Sequence, residues 1–513
     1  MGVAFASRAL LHHAVAPGTT IDQPQHGQTL GSKTVRAVHG VPVGGTLVAI
    51  VLCVSLGCST TPLLETNPHL PTAFEQSVAG EIAWPSVDWY RGFSSAELDR
   101  LIELAQRNNL DLLAAQARIR QADARARAAG AAILPQVDAV PTITHFAGRS
   151  HGTSANETDW SVLLSATYEF DFWGKNRATA DAARASAVAT RADRDTLALT
   201  TTAGVANAYF LILSLRERVS LAESTLASTR EVLSAIQARF DFGAASIEEL
   251  AAQRAAVANT ELAVVPLQQQ EIEARGALAL LVGDSPEQFA VVGEDLSGLI
   301  EPAVAPGLPA ELLARRPDVL SAEATLQAAH ADVAAARAAL FPSLTLTASG
   351  GIQNPAMQAA VTTLAGTGPS ITAGAALVQA LFDGGRRRAV REEAESRQVE
   401  LLATYRAAIL SALLDVETAL SAIEHLNAQR TAQQESVTQS ERAFEASRLR
   451  YRAGAGDYLT MLDAQRTLYA ARDQMSQYRL ARLQAFVSLC KALGGGWEAS
   501  LVASGETQPA TTR

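Results

Sequence analysis

Few side chains in this sequence are spaced for chemistry. Asp463 and Arg466 stand three residues apart on one predicted helix, the spacing of an ordinary solvated ion pair. Asp457, at the start of that helix, suits an N-cap. His69, His145, His151, His330 and His425 are scattered, and no HExxH or paired-cysteine pattern accompanies them. Gly454-Ala455-Gly456 and Gly494-Gly495-Gly496 lack the lysine and helix context of a phosphate loop. Cys490 falls in a helical pattern with Phe486, Leu489 and Leu493, which suits a small buried apolar role. These residues support no enzyme, no cofactor and no metal site.

A clearer pattern lies near the N-terminus. Residues 41–58 read VPVGGTLVAIVLCVSLGC, too short to span a bilayer but right for the apolar region of a signal peptide over 1–57. Lys33 and Arg36 supply a modest basic region before it. The residues ahead of Lys33 carry no clear pattern, so translation is expected to start nearer Val35 or Val41. The run ends Ser55-Leu56-Gly57-Cys58-Ser59, which resembles a bacterial lipobox and makes Cys58 the candidate lipidated N-terminus. Ser55 stands where that pattern prefers leucine, and a signal peptide with an incidental apolar cysteine is the plainer alternative. Ser59 is, by the same resemblance, what outer-membrane sorting favours. Two or more acyl chains would make such an anchor stable. Lipidation of Cys58 would leave Cys490 without an intramolecular disulfide partner.

The elements that position these residues follow from composition and repetition. The 513 residues carry 42 Lys+Arg against 52 Asp+Glu, a formal charge of −10, which argues against a nucleic-acid partner. Removing 1–57 takes away three basic side chains and one acidic, giving −12 over 456 residues. The chain is 48% hydrophobic and only 5% aromatic, which suits long packed helices better than stacked sandwiches. No apolar run reaches the ~20 residues of a transmembrane helix, so a helical membrane protein is not expected. Beyond a segment at 58–100, the chain repeats at about 210 residues, with units at 101–283 and 308–494. AAILPQVDAVPTIT (131–144) matches AALFPSLTLTASGG (338–351), and RFDFGAASIEELAAQR (239–254) matches RYRAGAGDYLTMLDAQR (450–466) with one extra residue in the second copy. Residues 284–307, rich in Gly and Pro, read as a linker, and 495–513 as a tail.

Each unit is predicted to hold a helix, two strands, a very long helix, a tight turn and another long helix. The strands are expected at 136–148, 160–172, 343–351 and 370–382, with surface loops at 149–159 and 352–369. From Trp160 to Phe172 every even position is apolar and most odd ones are polar, the period of a strand with two different faces. A membrane barrel strand needs only ~9–11 such residues. Four strands cannot close a barrel, and an open edge cannot face lipid, so membrane insertion demands an oligomer. In 400–426, Leu402, Tyr405, Ile409, Ala412, Val416, Ala419, Ile423 and Leu426 follow spacings of 3 and 4, a coiled-coil seam.

LPAELLARRPDVLSAEATLQAAHADVAAARAALFPSLTLT (308–347), LFDGGRRRA, RYRAGAGDYLTMLDAQR and KALGGGW (491–497) closely resemble the TolC-like outer-membrane efflux proteins, in particular the lipoprotein branch serving resistance-nodulation-division pumps. The resemblance runs from about Trp84 to Trp497. It implies a mainly α-helical homotrimer, four strands per chain forming a twelve-stranded barrel in outer-membrane lipid, and long helical hairpins reaching into the periplasm. It implies a passive conduit for drugs or other small molecules, driven by an inner-membrane pump through a periplasmic adaptor. Phe242, Gly243 and Ala244 match the adaptor-contact tip of the first repeat, and Ala453, Gly454 and Ala455 that of the second. Leu459 and Asp463 match positions that line a periplasmic gate, with Arg466 and Asp457 beside them; threefold symmetry would make each a ring. Turn chemistry alone also accounts for the glycines. Two other functions remain open: the outer-membrane channel of a type I protein secretion system, and a periplasmic coiled-coil scaffold with a soluble sheet.

Overall fold

The computed structural model describes residue 74 and residues 84–150, 153–302, 309–312, 314–353, 370–495 and 497, all within one unit, Thr66–Arg513. The signal segment 1–57, Cys58, His69, His151, residues 303–308 and most of the tail 495–513 lie outside the described residues.

A 3₁₀ turn at Trp89–Phe93 leads into α1 (Ala96–Asn108). The first repeat is α2 (Leu110–Ala131), β1 (Gln136–Ser150), β2 (Thr153–Phe170), α3 (Lys175–Asp241) and α4 (Ile247–Val282). A four-residue helix, α5 (Pro309–Leu312), precedes the second: α6 (Pro317–Ala338), β3 (Ser343–Gln353), β4 (Ser370–Val378), α7 (Arg386–Arg452) and α8 (Tyr458–Ala492). The lengths match helix by helix: α2 and α6 have 22 residues, α3 and α7 have 67. Each of the latter runs about 100 Å at 1.5 Å per residue. The seam read in 400–426 is the buried stripe of α7, with Ile409, Ala412 and Val416 at 0% exposure. It packs against α8 and α6, and α3 packs against α4, α2, α6 and α8.

α3 contains one 18-residue window with a mean hydropathy of 1.4, enough by composition to cross a membrane. Counting contiguous apolar runs misses it. Half of that window is buried inside the chain, and Val205, Phe210, Ile212 and Leu213 join the main core with Phe93, Leu98 and Ile102. The buried half of this stretch therefore serves core packing.

The four strands form one antiparallel sheet in the order β1-β2-β3-β4. Its register puts like with like. Val137, Pro141 and Ile143 oppose Ala166, Val162 and Trp160; Val162, Tyr168 and Phe170 oppose Ile352, Leu346 and Leu344; Leu344 and Gly350 oppose Leu377 and Ile371. Cross-strand partners share a face, so one face is a continuous apolar surface. The other carries Gln136, Asp138, Thr142, Ser161, Ser165, Thr167, Thr345, Thr347 and Thr372. The apolar face is exposed, with Ile143 at 79% and Ile371 at 82%, and β1 and β4 are unpaired edges.

Three expectations need correction. The loop at 149–159 is mostly strand: β1 runs to Ser150 and β2 begins at Thr153, because the polar residues 153–159 extend the ladder with 144–150. β2 and β4 end at Phe170 and Val378, short of 172 and 382, where the chain turns to cap α3 and α7. The described part of the 284–307 linker is docked: Phe289, Val291 and Leu296 are buried, and the Val292 and Gly293 N–H groups donate to the Glu97 carboxylate at 2.7 and 2.9 Å.

Candidate functional site

The two helical turns share one backbone solution. At the end of α3, Gly243 N–H donates to Phe240 O at 2.9 Å and Ala244 N–H to Arg239 O at 2.7 Å. At the end of α7, Gly454 N–H donates to Tyr451 O at 3.0 Å and Ala455 N–H to Arg450 O at 2.9 Å. Both are Schellman caps, with φ at 72° for Gly243 and 71° for Gly454, a region open to glycine. The next helices begin with matching N-caps: Ser246 Oγ accepts from Glu249 N at 3.2 Å, and Asp457 Oδ1 from Thr460 N at 2.9 Å. Hydrogen bonds from the Thr460 hydroxyl and N–H hold the Asp457 carboxyl below the usual carboxylate range. Asp457 is thus the N-cap of α8.

The side chains diverge. The first tip displays Phe242, 89% exposed, where the second has Ala453. The loops 242–246 and 453–457 are equal in length, so the extra residue of the second repeat falls within α8. One more residue separates Asp457 from Gln465 than Ser246 from Gln253, which rotates later side chains by about 100°. Both glutamines are nevertheless buried. Tyr458 OH donates to Gln253 Oε1, Gln253 Nε2 to Thr229 O at 2.7 Å, and Gln465 Nε2 to Thr229 Oγ1 at 3.3 Å. Burial pushes the Tyr458 hydroxyl up to about 12, so it stays a donor. This relay ties the start of α8 to the first hairpin, among Ile236, Leu250, Phe444, Tyr451 and Met461. Nothing in the sequence pairs these residues across the two repeats.

α8 buries Tyr458, Met461, Leu462 and Gln465 and turns Leu459, Asp463 and Arg466 outward. Leu459 is 67% exposed. Asp463 and Arg466 form no ion pair with one another, and among the described residues neither has a charged partner within salt-bridge distance. Further along α8, by contrast, Arg472 pairs with Glu441 at 2.6 Å, Asp473 with Arg218 at 2.7 Å and Arg479 with Glu217 at 3.1 Å. The structure thus brings Leu459, Asp463 and Arg466 onto one exposed face and leaves the six tip residues at the two turns.

At the opposite ends of the hairpins, the ARRPD motif meets Leu493-Gly494-Gly495 after α8. Gly494, with φ at 85°, sits against the Arg315 carbonyl, leaving no room for a Cβ. Arg316 is buried and donates to Asp318 Oδ2 at 2.6 Å, Asp415 Oδ2 at 2.9 Å and Ala492 O at 3.1 Å. Sequence reading missed this joint; the three glycines after α8, Gly494-Gly495-Gly496, were its one signal. Cys490 beside it is fully buried, and burial raises its thiol to about 12. Among the described residues no three His, Cys, Asp or Glu side chains gather as a metal site.

A family model described as outer membrane efflux protein matches residues 101–284 and 308–495. The chain is 42% identical over 464 residues to the pyoverdine export outer membrane protein OpmQ of Pseudomonas aeruginosa, covering 88% of this chain and 97% of that protein. It is 30% identical over 463 residues to the cation efflux system protein CusC of Escherichia coli O6:H1, covering 87% and 98%. It superposes on the outer membrane protein VceC of Vibrio cholerae with a TM-score of 0.75 at 26% identity, over 81% of this chain and 100% of that one.

Proposed function

The chain belongs to the outer membrane efflux protein family, and from that premise we propose that Leu459, Asp463 and Arg466 close its channel at the periplasmic end. It is the outer-membrane channel of a tripartite efflux system. Three copies close their sheets into one barrel, continued by a helical barrel, which satisfies the strand edges and exposed apolar face of the single chain. Members of the family are passive conduits, and we assign this chain no catalytic step. The names of OpmQ and CusC support a small-molecule or ion cargo over a secreted protein, and the apolar sheet face argues against a soluble scaffold.

The observation that carries the gate is the exposed, unpaired face of α8. Threefold symmetry turns Leu459 into an apolar constriction and Asp463 into a carboxylate ring, which repels itself unless cations or Arg466 side chains sit beside it. Phe242, Gly243 and Ala244, with Ala453, Gly454 and Ala455, form the surface for a periplasmic adaptor that couples the channel to an inner-membrane resistance-nodulation-division pump. Adaptor binding opens the gate only by favouring the splayed tips over the closed ones. Cys58 anchors the mature chain through acylation, to be read from the mass of its N-terminal peptide. Single-channel recordings in planar bilayers test the gate: Leu459→Ala or Asp463→Ala raises conductance. Wild-type conductance in a folded trimer of both variants removes these residues from the gate.

A further inference from the structure

Where the sheet meets the long helices, the chain forms a cavity of 280 Å³ whose lining includes Phe172, Trp173, Phe341, Arg386 and Arg387. Its aromatic part is rigid. The Trp173 ring stacks on Phe341 with centroids 4.5 Å apart and planes 20° from parallel, and Phe172 meets Trp173 edge-on at 4.8 Å. The indole N–H donates to Pro342 O at 2.8 Å, which fixes the ring. All three rings are exposed in the single chain, and Phe170 carries the apolar sheet face into the same cavity.

The basic part is only half committed. Arg387 donates to Ala339 O at 2.9 Å and faces Asp383, while Lys175 pairs with Glu169 at 2.6 Å. Arg386, in the lining, is exposed and has no ion-pair partner among the described residues. The cavity is lined from the ends of β2 and β3, the two inner strands, and by no residue of the edges β1 and β4 through which the barrel closes.

We infer that this cavity binds an anionic glycerophospholipid of the periplasmic leaflet of the outer membrane. The acyl chains lie along the apolar strand face, the aromatic rings sit at headgroup depth, and the phosphate meets Arg386. Aromatic side chains favour that interface, a guanidinium group matches phosphate, and an anionic headgroup is the charge complement of the unpaired Arg386. The site requires a sheet embedded in the outer membrane and is independent of cargo, adaptor and gate.

The test is native mass spectrometry of the purified trimer from micelles holding dioleoylphosphatidylglycerol and dioleoylphosphatidylcholine in equal amounts. The wild type retains phosphatidylglycerol preferentially, and Arg386→Gln weakens that retention about fivefold, the worth of one arginine at a membrane surface. The Arg386 side chain is exposed and unpaired, so the variant assembles, as heat-modifiable migration reports, and conducts as the wild type does. Trp173→Ala, read the same way, lowers retention of both lipids. Equal retention of the two lipids by the wild type, or undiminished phosphatidylglycerol retention by the assembled Arg386→Gln variant, overturns the site. Displacement of the lipid by inorganic phosphate also overturns it, since a free anion would then be the ligand.

Discussion

The two repeats close their helical ends on the same joint with different chemistry. In the first, Gly283 (φ 73°) ends α4 against the Asn108 carbonyl; in the second, Gly494 (φ 85°) follows α8 against the Arg315 carbonyl. The next residue then binds the end of that helix. Asn109 Nδ2 donates to Leu281 O at 2.8 Å while its Oδ1 caps α2 through Leu112 N at 3.0 Å. Arg316 reaches Ala492 O from the corresponding place, but adds Asp318 and Asp415. Duplication kept the backbone contact and let the side chain change from a neutral cap to an ionic hub. The tips show the same division, with shared Schellman caps around a buried Tyr458 in one repeat and an exposed Ile247 in the other.

Each half of that comparison has a measurable consequence in the melting of the purified trimer. Arg316→Ala strands the Asp318 carboxylate and costs about 3 kcal/mol, whereas Asn109→Ala costs about 1–2 kcal/mol. Equal melting temperatures would abolish the distinction between hub and cap. Gly494→Ala and Gly283→Ala each cost at least about 2 kcal/mol, since left-handed strain adds to a clash with backbone. Gly454→Ala and Gly243→Ala, with open space around the new methyl, pay only the strain of about 1–2 kcal/mol. Tyr458→Phe orphans Gln253 Oε1 and costs about 1–2 kcal/mol, against no more than about 0.5 kcal/mol for Ile247→Ala.

The smallest effect is in pH. Burial alone would raise the Asp318 carboxyl, but the hydrogen bonds and charge of Arg316 outweigh it and the net shift is downward. A depressed folded value gives stability that is present above the unfolded value, near 3.9, and lost as pH falls through the folded one. Wild-type melting temperature therefore falls more steeply below about pH 4 than that of Asp318→Asn. Parallel curves would show that the hub does not titrate.

Much of the fold was legible because its signals are local. Alternation in 136–144 and 160–172, the seam from Leu402 to Leu426, and the glycines at both turns each follow from one element's own period. The polar residues 153–159 gave no such signal, since their strand exists only by pairing with 144–150. The 284–302 segment looked like a linker because its partner, Glu97, lies some two hundred residues away in sequence. Asp463 and Arg466 have ion-pair spacing, yet spacing does not decide rotamers or which neighbours compete.

Composition, repetition and periodicity by themselves determined the two units, the long helices and a sheet with one lipid-compatible face. They also determined that one chain is incomplete, because four strands leave edges that lipid cannot satisfy. Tertiary structure alone decided which distant groups meet: Arg316 with Ala492, Tyr458 with Gln253, Trp173 with Phe341. The reason is physical. Period and propensity act over a few residues and are written in sequence order, whereas burial and hydrogen-bond satisfaction are settled between whichever surfaces the folded helices bring together.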